Sequence, residues 1–284
     1  MNCRALIGDA ARRLAEAGVE SPRMDAELLL AHVLGVPRGR LLTLDEVTAD
    51  DAARFASLLE QRVDRVPLQH LTGRAPFRHL ELAVGPGVFV PRPETEQLAS
   101  WALDRLAGTD GPIVVDLGSG SGALALAVAN EHPGARVTAV ERDRDAIAWT
   151  RHNALARVSA GDTPVGVVEG DMTDPALLAE LDGRVTVVVS NPPYVPDDAV
   201  LPREVADHDP PLALWGGPDG LDVVRGMLSV AARLLHPGGW LGIEHADQQG
   251  VALPAVVRAH GAFTDVEDHP DLSGRPRFTT ARRT

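Results

Sequence analysis

Two short segments of the chain carry the residue types best suited to chemistry. The first is Asp-Leu-Gly-Ser-Gly-Ser-Gly at residues 116–122, and the second is Ser-Asn-Pro-Pro-Tyr at residues 190–194. Glycines permit positive φ angles and let a ligand approach the backbone closely, so the first segment predicts a binding loop. An asparagine side chain offers one acceptor and two donors, and a tyrosine offers a flat ring. The second segment therefore predicts a binding site for a planar amide or aromatic amine.

The glycine-rich segment has competing interpretations. Gly118, Gly120 and Ala123 also fit the G-x-G-x-x-G/A fingerprint of dinucleotide sites, and a tight strand–helix turn needs no ligand. Asp116 precedes the first glycine and would repel a pyrophosphate, so it favours a ligand that carries an ammonium group. Glu141 lies about 20 residues further on, where an acid can accept hydrogen bonds from a ribose diol. The alternative for Glu141 is a solvated strand end.

A third segment, Gly170-Asp171-Met172, follows the third predicted strand. At that position an acid can accept a hydrogen bond from the exocyclic amine of an adenine, and a methionine can pack on the adenine ring. The same residues are equally compatible with the N-cap of a helix. The sequence alone leaves both interpretations open.

The Asn-Pro-Pro-Tyr segment directly follows the fourth predicted strand. Its two prolines stiffen the loop and keep its carbonyls out of local helical hydrogen bonding. A planar amide bound there donates its two N–H groups to the Asn191 side-chain oxygen and to a proline carbonyl, while Tyr194 covers its plane. The alternative is an ordinary β-turn, since Asn-Pro is a common turn starter. The glycine-rich loop upstream favours the binding interpretation.

Alternating strands and helices from residue 112 onward position these segments. The predicted strands are 113–115, 135–140, 165–169, 185–189 and 240–244, and later segments add two more. One predicted helix follows the glycine-rich loop to residue 130, and two others span 143–155 and 221–235. This alternation predicts an α/β fold with a doubly wound, mostly parallel sheet, in which the carboxyl ends of the strands border the ligand crevice.

The first 74 residues have a different character. Leu6, Ala10, Leu14 and Ala17 share one face of a 3.6-residue period, and residues 24–34 repeat this pattern. Thr48, followed three residues later by Asp51, predicts the N-cap of a third helix. Residues 1–74 are therefore predicted to form a small helical bundle. Its expected role is to dock a protein substrate, and the alternative is a packing cap for the rest of the chain.

A linker separates this bundle from the alternating region. Apolar residues on both sides of Gly85-Pro86-Gly87 predict a β-hairpin around that turn, and Glu94-Thr95-Glu96 opens a helix with acids at its N-terminal end. The predicted domains are the helical domain at 1–74, the hairpin linker at 75–95 and the catalytic domain at 96–284.

Composition narrows the function classes. The 284 residues carry 40 acidic and 27 basic side chains, for a net charge of −13. Binding to a bare phosphate backbone requires clustered positive charge, so this balance argues against nucleic-acid binding. A single cysteine, Cys3, excludes an intrachain disulfide and fits a reducing compartment. No apolar run approaches the roughly 18–20 residues of a membrane span, so a soluble cytoplasmic protein is expected. No histidine pair has metal-ligand spacing, and we assign no metal.

Together, these motifs resemble those of known methyltransferases. Residues 116–122 with Asn-Pro-Pro-Tyr look like an S-adenosylmethionine-dependent methyltransferase that acts on an amino group conjugated to a planar system. More narrowly, Phe-Val-Pro-Arg-Pro-Glu-Thr-Glu at 89–96, residues 190–194, 219–221 and 244–249 resemble the peptide-chain release factor glutamine methyltransferases. The resemblance runs over nearly the whole chain. Departures are Glu94, where the family commonly has Asp, and Ala246, where Gly is usual.

The resemblance implies a class I methyltransferase fold with a seven-stranded sheet and a small N-terminal helical domain. S-adenosylmethionine would be the cofactor, leaving as S-adenosylhomocysteine. The cofactor would contact Gly118, Ser119, Gly120, Ser121, Gly122, Glu141, Asp171, Met172 and Asn191. The substrate glutamine would contact Asn191, Pro192, Pro193 and Tyr194, with Asn191, Pro192 and Tyr194 as the catalytic residues. Phe89 would wall the methyl-transfer site, although a place in the hairpin core is an equal alternative.

The implied substrate is the glutamine in the Gly-Gly-Gln loop of class I release factors, so that methylation supports translation termination. No nucleic acid or membrane would bind directly, and the chain is expected to act as a monomer. Because the nitrogen becomes strongly acidic after methyl transfer, its proton can pass to water, and we nominate no general base.

Three other functions compete with this one. A DNA or RNA amino-methyltransferase shares Asn-Pro-Pro-Tyr but needs a basic cleft, and residues 75–284 carry 17 arginines against 29 acids. An NAD-dependent oxidoreductase would explain the glycine pattern but leaves residues 191–194 without a role. A noncatalytic adaptor would use only the helical bundle.

Overall fold

The computed structural model describes all residues from 1 to 284 and divides the chain into two compact units. The helical unit comprises Met1–Arg74 together with Leu201–His208. The sheet unit comprises Ala75–Val200 and Asp209–Thr284. The short segment 201–208 thus belongs to the helical unit although the rest of its sequence neighbourhood does not.

The helices are α1 Cys3–Glu16, α2 Pro22–Leu34, α3 Ala49–Val63, α4 Leu68–Thr72, α5 Thr95–Leu106, α6 Ala123–Glu131, α7 Arg144–Ser159, α8 Arg203–His208, α9 Asp222–Leu234 and α10 Ala252–Ala259. The strands are β1 Arg74–Phe77, β2 Leu80–Ala83, β3 Ile113–Leu117, β4 Arg136–Glu141, β5 Gly166–Glu169, β6 Val185–Ser190, β7 Leu235–Glu244, β8 Phe263–Pro270 and β9 Pro276–Arg283. None of these helices is long and apolar enough to span a membrane.

The helical unit packs around its own apolar core, with side chains from α1, α2 and α3. The predicted cap is confirmed, because the Thr48 hydroxyl accepts a hydrogen bond from the Asp51 amide at 3.1 Å. Helix α8 forms ion pairs through Glu204, which lies 2.9 Å from Arg62 and 3.1 Å from Arg65. Arg62 also contacts the buried Asp25 at 2.8 Å. A buried ion-pair network therefore connects residues far apart in the chain.

The sheet unit is built on seven strands in the order β5-β4-β3-β6-β7-β9-β8. Strands β3 to β7 are parallel, and β9 runs antiparallel between β7 and β8. This confirms the predicted doubly wound, mostly parallel sheet. The strand order reverses between β3 and β6, and the carboxyl ends of strands at such a point border the ligand crevice.

Both faces of the sheet are covered, which explains the continuous apolar runs of its central strands. Val115 and Leu117 face a core formed with α9 and α10. Val114 and Val187 face the opposite core, formed with α5 and α6. Because successive strand residues point to opposite faces, a strand covered on both sides is apolar at every position rather than at every second one.

The predicted hairpin around Gly85-Pro86-Gly87 is wrong. The hairpin pairs β1 with β2, and its turn contains Arg78 with a φ of 52°. Residues 85–87 instead form a turn against α7, where a Cβ on Gly85 would lie 2.7 Å from the Trp149 ring. Close packing, rather than strand reversal, explains the glycine at this position.

Candidate functional site

The glycine-rich loop closes directly against the end of β4. The amides of Gly118 and Ser119 both donate to the Val140 carbonyl, at 2.9 and 3.0 Å. Gly118, Gly120 and Gly122 have φ values of 81°, 56° and 88°, which favour glycine. The loop then leads into α6, whose N-terminal amides point toward the same edge of the sheet.

Two carboxylates fix the conformation of this loop. Glu141 accepts hydrogen bonds from the Gly120 amide at 2.9 Å and from the amides of Arg142 and Asp143. Asp116 is 1% exposed, and its Oδ2 accepts from the Ala125 amide at 3.1 Å. Its Oδ1 is buried without a hydrogen-bond partner. Burial raises the pKa of Asp116 to about 7; the Ala125 amide opposes this rise and the charge of Glu141 adds to it.

Helix α7 supports the loop from the other side, and sequence reasoning missed this contribution. The Thr150 hydroxyl donates to the Gly120 carbonyl at 2.6 Å, and Asn153 Nδ2 donates to the Ser121 carbonyl at 2.9 Å. Both side chains are buried. Their spacing of three residues places them on one helical face, which is the signal that the sequence offered.

Asp171 and Met172 make different contacts at the end of β5. Asp171 accepts from the Thr173 amide and hydroxyl and lies 3.1 Å from Arg142, and these contacts lower its pKa although burial opposes them. No helix begins at this point. Met172 is buried, and its methyl group lies 2.6 Å from the position of a Cβ on Gly118. The structure therefore brings Met172 against the glycine-rich loop.

The Asn-Pro-Pro-Tyr segment leaves β6 beside the same loop. The Ser190 hydroxyl donates to the Leu117 carbonyl at 2.6 Å, which joins the ends of β6 and β3. The backbone carbonyl oxygen of Asn191 lies 4.0 Å from the position of a Cβ on Gly118. Pro192 and Pro193 are buried, whereas Asn191 and Tyr194 are partly exposed. The two segments singled out from the sequence thus meet at the switch point of the sheet.

Close backbone packing anchors this segment, and again the sequence alone did not reveal it. A Cβ on Gly220 would lie 2.1 Å from the Tyr194 carbonyl, and one on Gly216 would lie 2.7 Å from the Pro193 carbonyl. Gln249 Nε2 donates to the Tyr194 carbonyl at 3.0 Å. The residues that hold Asn-Pro-Pro-Tyr in place therefore come from a distant part of the chain.

A buried acid lies behind Asn191. Glu244 ends β7, is 2% exposed, and has an Oε2 without a hydrogen-bond partner. Burial raises its pKa to about 7, while hydrogen bonding from Thr95 and Asn191 and the charge of Arg277 lower it. The pKa of the Tyr194 phenol is raised, first by burial and then by the charge of Glu244, so the phenol is neutral.

Phe89 is not part of a hairpin core. It is partly exposed, and the Arg92 guanidinium lies 4.9 Å from the centre of its ring. Arg92 also pairs with Asp209 at 3.0 Å. Its neighbours Val88 and Val90 are buried, so the backbone at this point is fixed while the Phe89 ring remains accessible.

Family models match the chain in two parts. A model described as the PrmC N-terminal domain matches residues 5–73, and one described as the methyltransferase small domain matches residues 80–206. The two matches fall on the helical part and on the region that contains both loops.

Curated relatives are similar over nearly their full length. The release factor glutamine methyltransferase of Streptomyces coelicolor is 50% identical over 98% of this chain and 97% of its own. That of Mycolicibacterium smegmatis is 50% identical over 99% of this chain and 97% of its own.

A solved structure shares the fold. The catalytic domain of hMettl16, in complex with MAT2A 3'UTR hairpin 6, superposes with a TM-score of 0.55 and covers 85% of this chain and 84% of its own. The identity is 15%, so this similarity concerns the fold alone.

Proposed function

Since the chain belongs to the release factor glutamine methyltransferase family, we propose that it methylates the side-chain amide nitrogen of a glutamine in peptide-chain release factors. The proposed methyl donor is S-adenosylmethionine, and the proposed target is the Gly-Gly-Gln loop of class I factors. The reaction would support translation termination, and the proposed location of the protein is the cytoplasm.

One observation carries the proposal beyond family membership. The backbone carbonyl oxygen of Asn191 lies 4.0 Å from the Cβ position of Gly118, at the point where the strand order of the sheet reverses. A cofactor cradled by residues 118–122 and an amide held by Asn191 would therefore be immediate neighbours. Methyl transfer requires this proximity, because holding two reactants in line replaces a bimolecular encounter.

The residues around the loop fit S-adenosylmethionine. The buried Asp116 Oδ1 lacks a partner, and an ammonium group of the cofactor would supply one. Glu141 lies where an acid accepts from ribose hydroxyls, and Met172 offers an apolar contact for an adenine ring. When bound, the cofactor supplies a methyl group activated by a sulfonium.

The protein's own contribution is to orient and polarise the amide. An amide nitrogen is a poor nucleophile because its lone pair is delocalised into the carbonyl. Asn191 Oδ1 and the Pro192 carbonyl would accept its two N–H groups and stabilise the positive charge that develops on nitrogen. Tyr194, a neutral phenol that is partly exposed, would cover the plane of the amide.

The helical unit is proposed to dock the protein part of the substrate. A glutamine in a glycine-rich loop offers few contacts, whereas stable protein interfaces bury about 1,600 Å². Intact release factor should therefore be methylated with a kcat/KM at least about 100-fold above that of a short peptide carrying the same glutamine, since the lost contacts cost about 2.7 kcal/mol or more. Equal values for peptide and intact factor would exclude docking away from the active site.

The substrate class is tested by offering the chain each class of substrate separately. The full chain is incubated with methyl-labelled S-adenosylmethionine and either release factor, DNA oligonucleotides or RNA oligonucleotides. The proposal expects label on the release factor alone. Label on an oligonucleotide would favour the alternative, a base amino-methyltransferase, against which the charge of −13 already argues.

A further inference from the structure

The orientation of the Asn191 carboxamide is set by the groups behind it. Asn191 Nδ2 donates to the Thr95 hydroxyl at 3.4 Å. Burial raises the pKa of the Glu244 carboxyl, and the nearby Thr95 and Asn191 side chains act to lower it. Thr95 is 4% exposed and Glu244 is 2% exposed. The amide nitrogen of Asn191 is therefore directed toward a buried hydroxyl and a buried acid.

The sheet places these groups together. Ser190 of β6 pairs with Ile243 of β7, so the next residues, Asn191 and Glu244, leave adjacent parallel strands at the same level. Thr95 is the first residue of α5, which packs on β6 and β7. The arrangement follows from strand register and helix packing rather than from a mobile loop.

We propose that Glu244 and Thr95 are positioning residues, which hold the Asn191 carboxamide with Nδ2 toward the protein interior and Oδ1 toward the substrate amide. The inference rests on the proposed function, in which Asn191 accepts a hydrogen bond from the glutamine.

The chemical reason is the acceptor-only nature of a carboxylate. An ionised Glu244 can accept hydrogen bonds but cannot donate them, so it selects the NH₂ side of the Asn191 carboxamide. The opposite orientation would place two oxygens against each other. It would also present N–H donors to a substrate amide that itself has only N–H donors on its nitrogen. Glu244 thus determines whether Asn191 accepts or repels the substrate.

The ionisation of Glu244 links this orientation to pH. Arg277 of β9, together with Thr95 and Asn191, favours the charged form, whereas burial and the charge of Glu94 disfavour it. The charge of Glu244 also acts on Tyr194, whose pKa it raises. Below a pH of about 7 the acid is neutral, and its O–H can donate to a reversed Asn191 oxygen. The rate of methyl transfer should therefore fall as the pH falls through this value.

The test is the isosteric variant Glu244→Gln in the full chain, assayed with release factor at saturating donor. Its new NH₂ group can donate to a reversed Asn191, so we expect kcat to fall about 10- to 100-fold while the affinity for S-adenosylmethionine stays unchanged. The wild-type rate should decline as the pH falls through about 7, and this decline should be absent in the variant. A variant with the wild-type kcat and the wild-type pH profile would overturn the inference.

Thr95 provides a graded test with a matched control. Thr95→Val removes the hydroxyl and should lower kcat, whereas Thr95→Ser keeps it and should restore the rate. Thr279 of β9 pairs with Ile243, is 1% exposed, and has a hydroxyl without a partner. Thr279→Val is therefore expected to leave kcat unchanged. Equal losses for the two valine variants would show a packing effect and contradict the positioning role.

The outcomes separate this inference from the proposed function. If the wild-type chain methylates release factor, and Glu244→Gln and Thr95→Val do so with the wild-type kcat, the positioning role is refuted and the function stands. If the wild-type chain transfers no methyl group to release factor, the function itself fails. The inference is supported when Glu244→Gln loses both rate and pH dependence, Thr95→Val loses rate, and Thr95→Ser and Thr279→Val keep the wild-type rate, while the donor affinity of all variants is equal.

Discussion

The two loops that meet at the switch point are stabilised in different ways. The donor edge, residues 116–122 with Glu141, is held by hydrogen bonds to the end of the neighbouring strand β4 and to helix α7. The acceptor edge, residues 190–194, is held by close packing of Gly216 and Gly220 and by the side chain of Gln249. The first is held mainly by hydrogen bonds among backbone amides and carboxylates, and the second combines hydrogen bonds with close packing against the backbone at Gly216 and Gly220.

This difference separates the two expected functions. Glycines and acids at the donor edge leave polar groups that can meet a charged cofactor, so changes there should act on donor affinity. Prolines and packed glycines at the acceptor edge fix the position of one amide, so changes there should act on the rate of transfer. The predictions below test this division of labour.

The largest effect is expected at the acceptor edge. Asn191→Ala should lower the rate of methyl transfer by about 100- to 1,000-fold, because one positioned acceptor is worth roughly 3–4 kcal/mol in the transition state. Donor affinity, measured by isothermal titration, should stay close to that of the wild type. A variant that keeps near wild-type turnover would contradict the assignment of the substrate site.

A smaller effect is expected at the donor edge. Glu141→Ala should weaken S-adenosylmethionine binding by about 10- to 150-fold, since hydrogen bonds to a charged acceptor contribute about 1.5–3 kcal/mol. The rate at saturating donor should change much less. Calorimetry that gives an unchanged affinity would show that Glu141, although it accepts from the Gly120 amide, does not contact the donor.

The packing of the acceptor edge can be tested at Gly220. Gly220→Ala introduces a Cβ at 2.1 Å from the Tyr194 carbonyl and strains a residue with a φ of 75°. The clash, an overpacking of about 1–2 kcal/mol, should displace the loop and lower kcat roughly 5- to 30-fold. Gly261 has a φ of 78° and open space around it, so Gly261→Ala is the matched control. If Gly261→Ala lowers kcat equally, backbone strain rather than loop packing is responsible.

The smallest effect concerns the pH dependence of donor binding. Asp116 has a pKa of about 7, so it is neutral below this pH and loses its attraction for an ammonium group. Donor affinity should therefore weaken about tenfold when the pH is lowered from one unit above this pKa to one unit below it. Asp116→Asn should bind the donor more weakly and without this pH dependence. A variant with the wild-type slope would assign the titration to another group.

The sequence was informative wherever structure depends on near neighbours. Continuous apolar runs predicted the central strands, and Thr48 predicted a cap that the structure contains. The hairpin prediction failed because Gly85-Pro86-Gly87 has the composition of a turn, whereas the actual turn contains Arg78 and no glycine. Composition could not show that Gly85 is needed for its contact with Trp149.

The supports of the site could not be derived from local patterns. Gln249 reaches Tyr194 across 55 residues of sequence, and Asn153 reaches Ser121 across 32. Such contacts depend on strand order and helix packing, which a one-dimensional pattern does not specify. The resemblance included Glu244 and Gln249 among its motifs, but only the structure shows that they lie behind Asn191 and Tyr194.

The most direct test is to locate the methyl group by fragmentation mass spectrometry. Release factor is incubated with the full-length protein and S-adenosylmethionine, and its peptides are then sequenced beside those treated with the Asn191→Ala variant. The account predicts a single added methyl group on the side-chain nitrogen of the glutamine in the Gly-Gly-Gln loop, strongly reduced with the variant. Methylation of any other residue, or equal methylation by the variant, would contradict it.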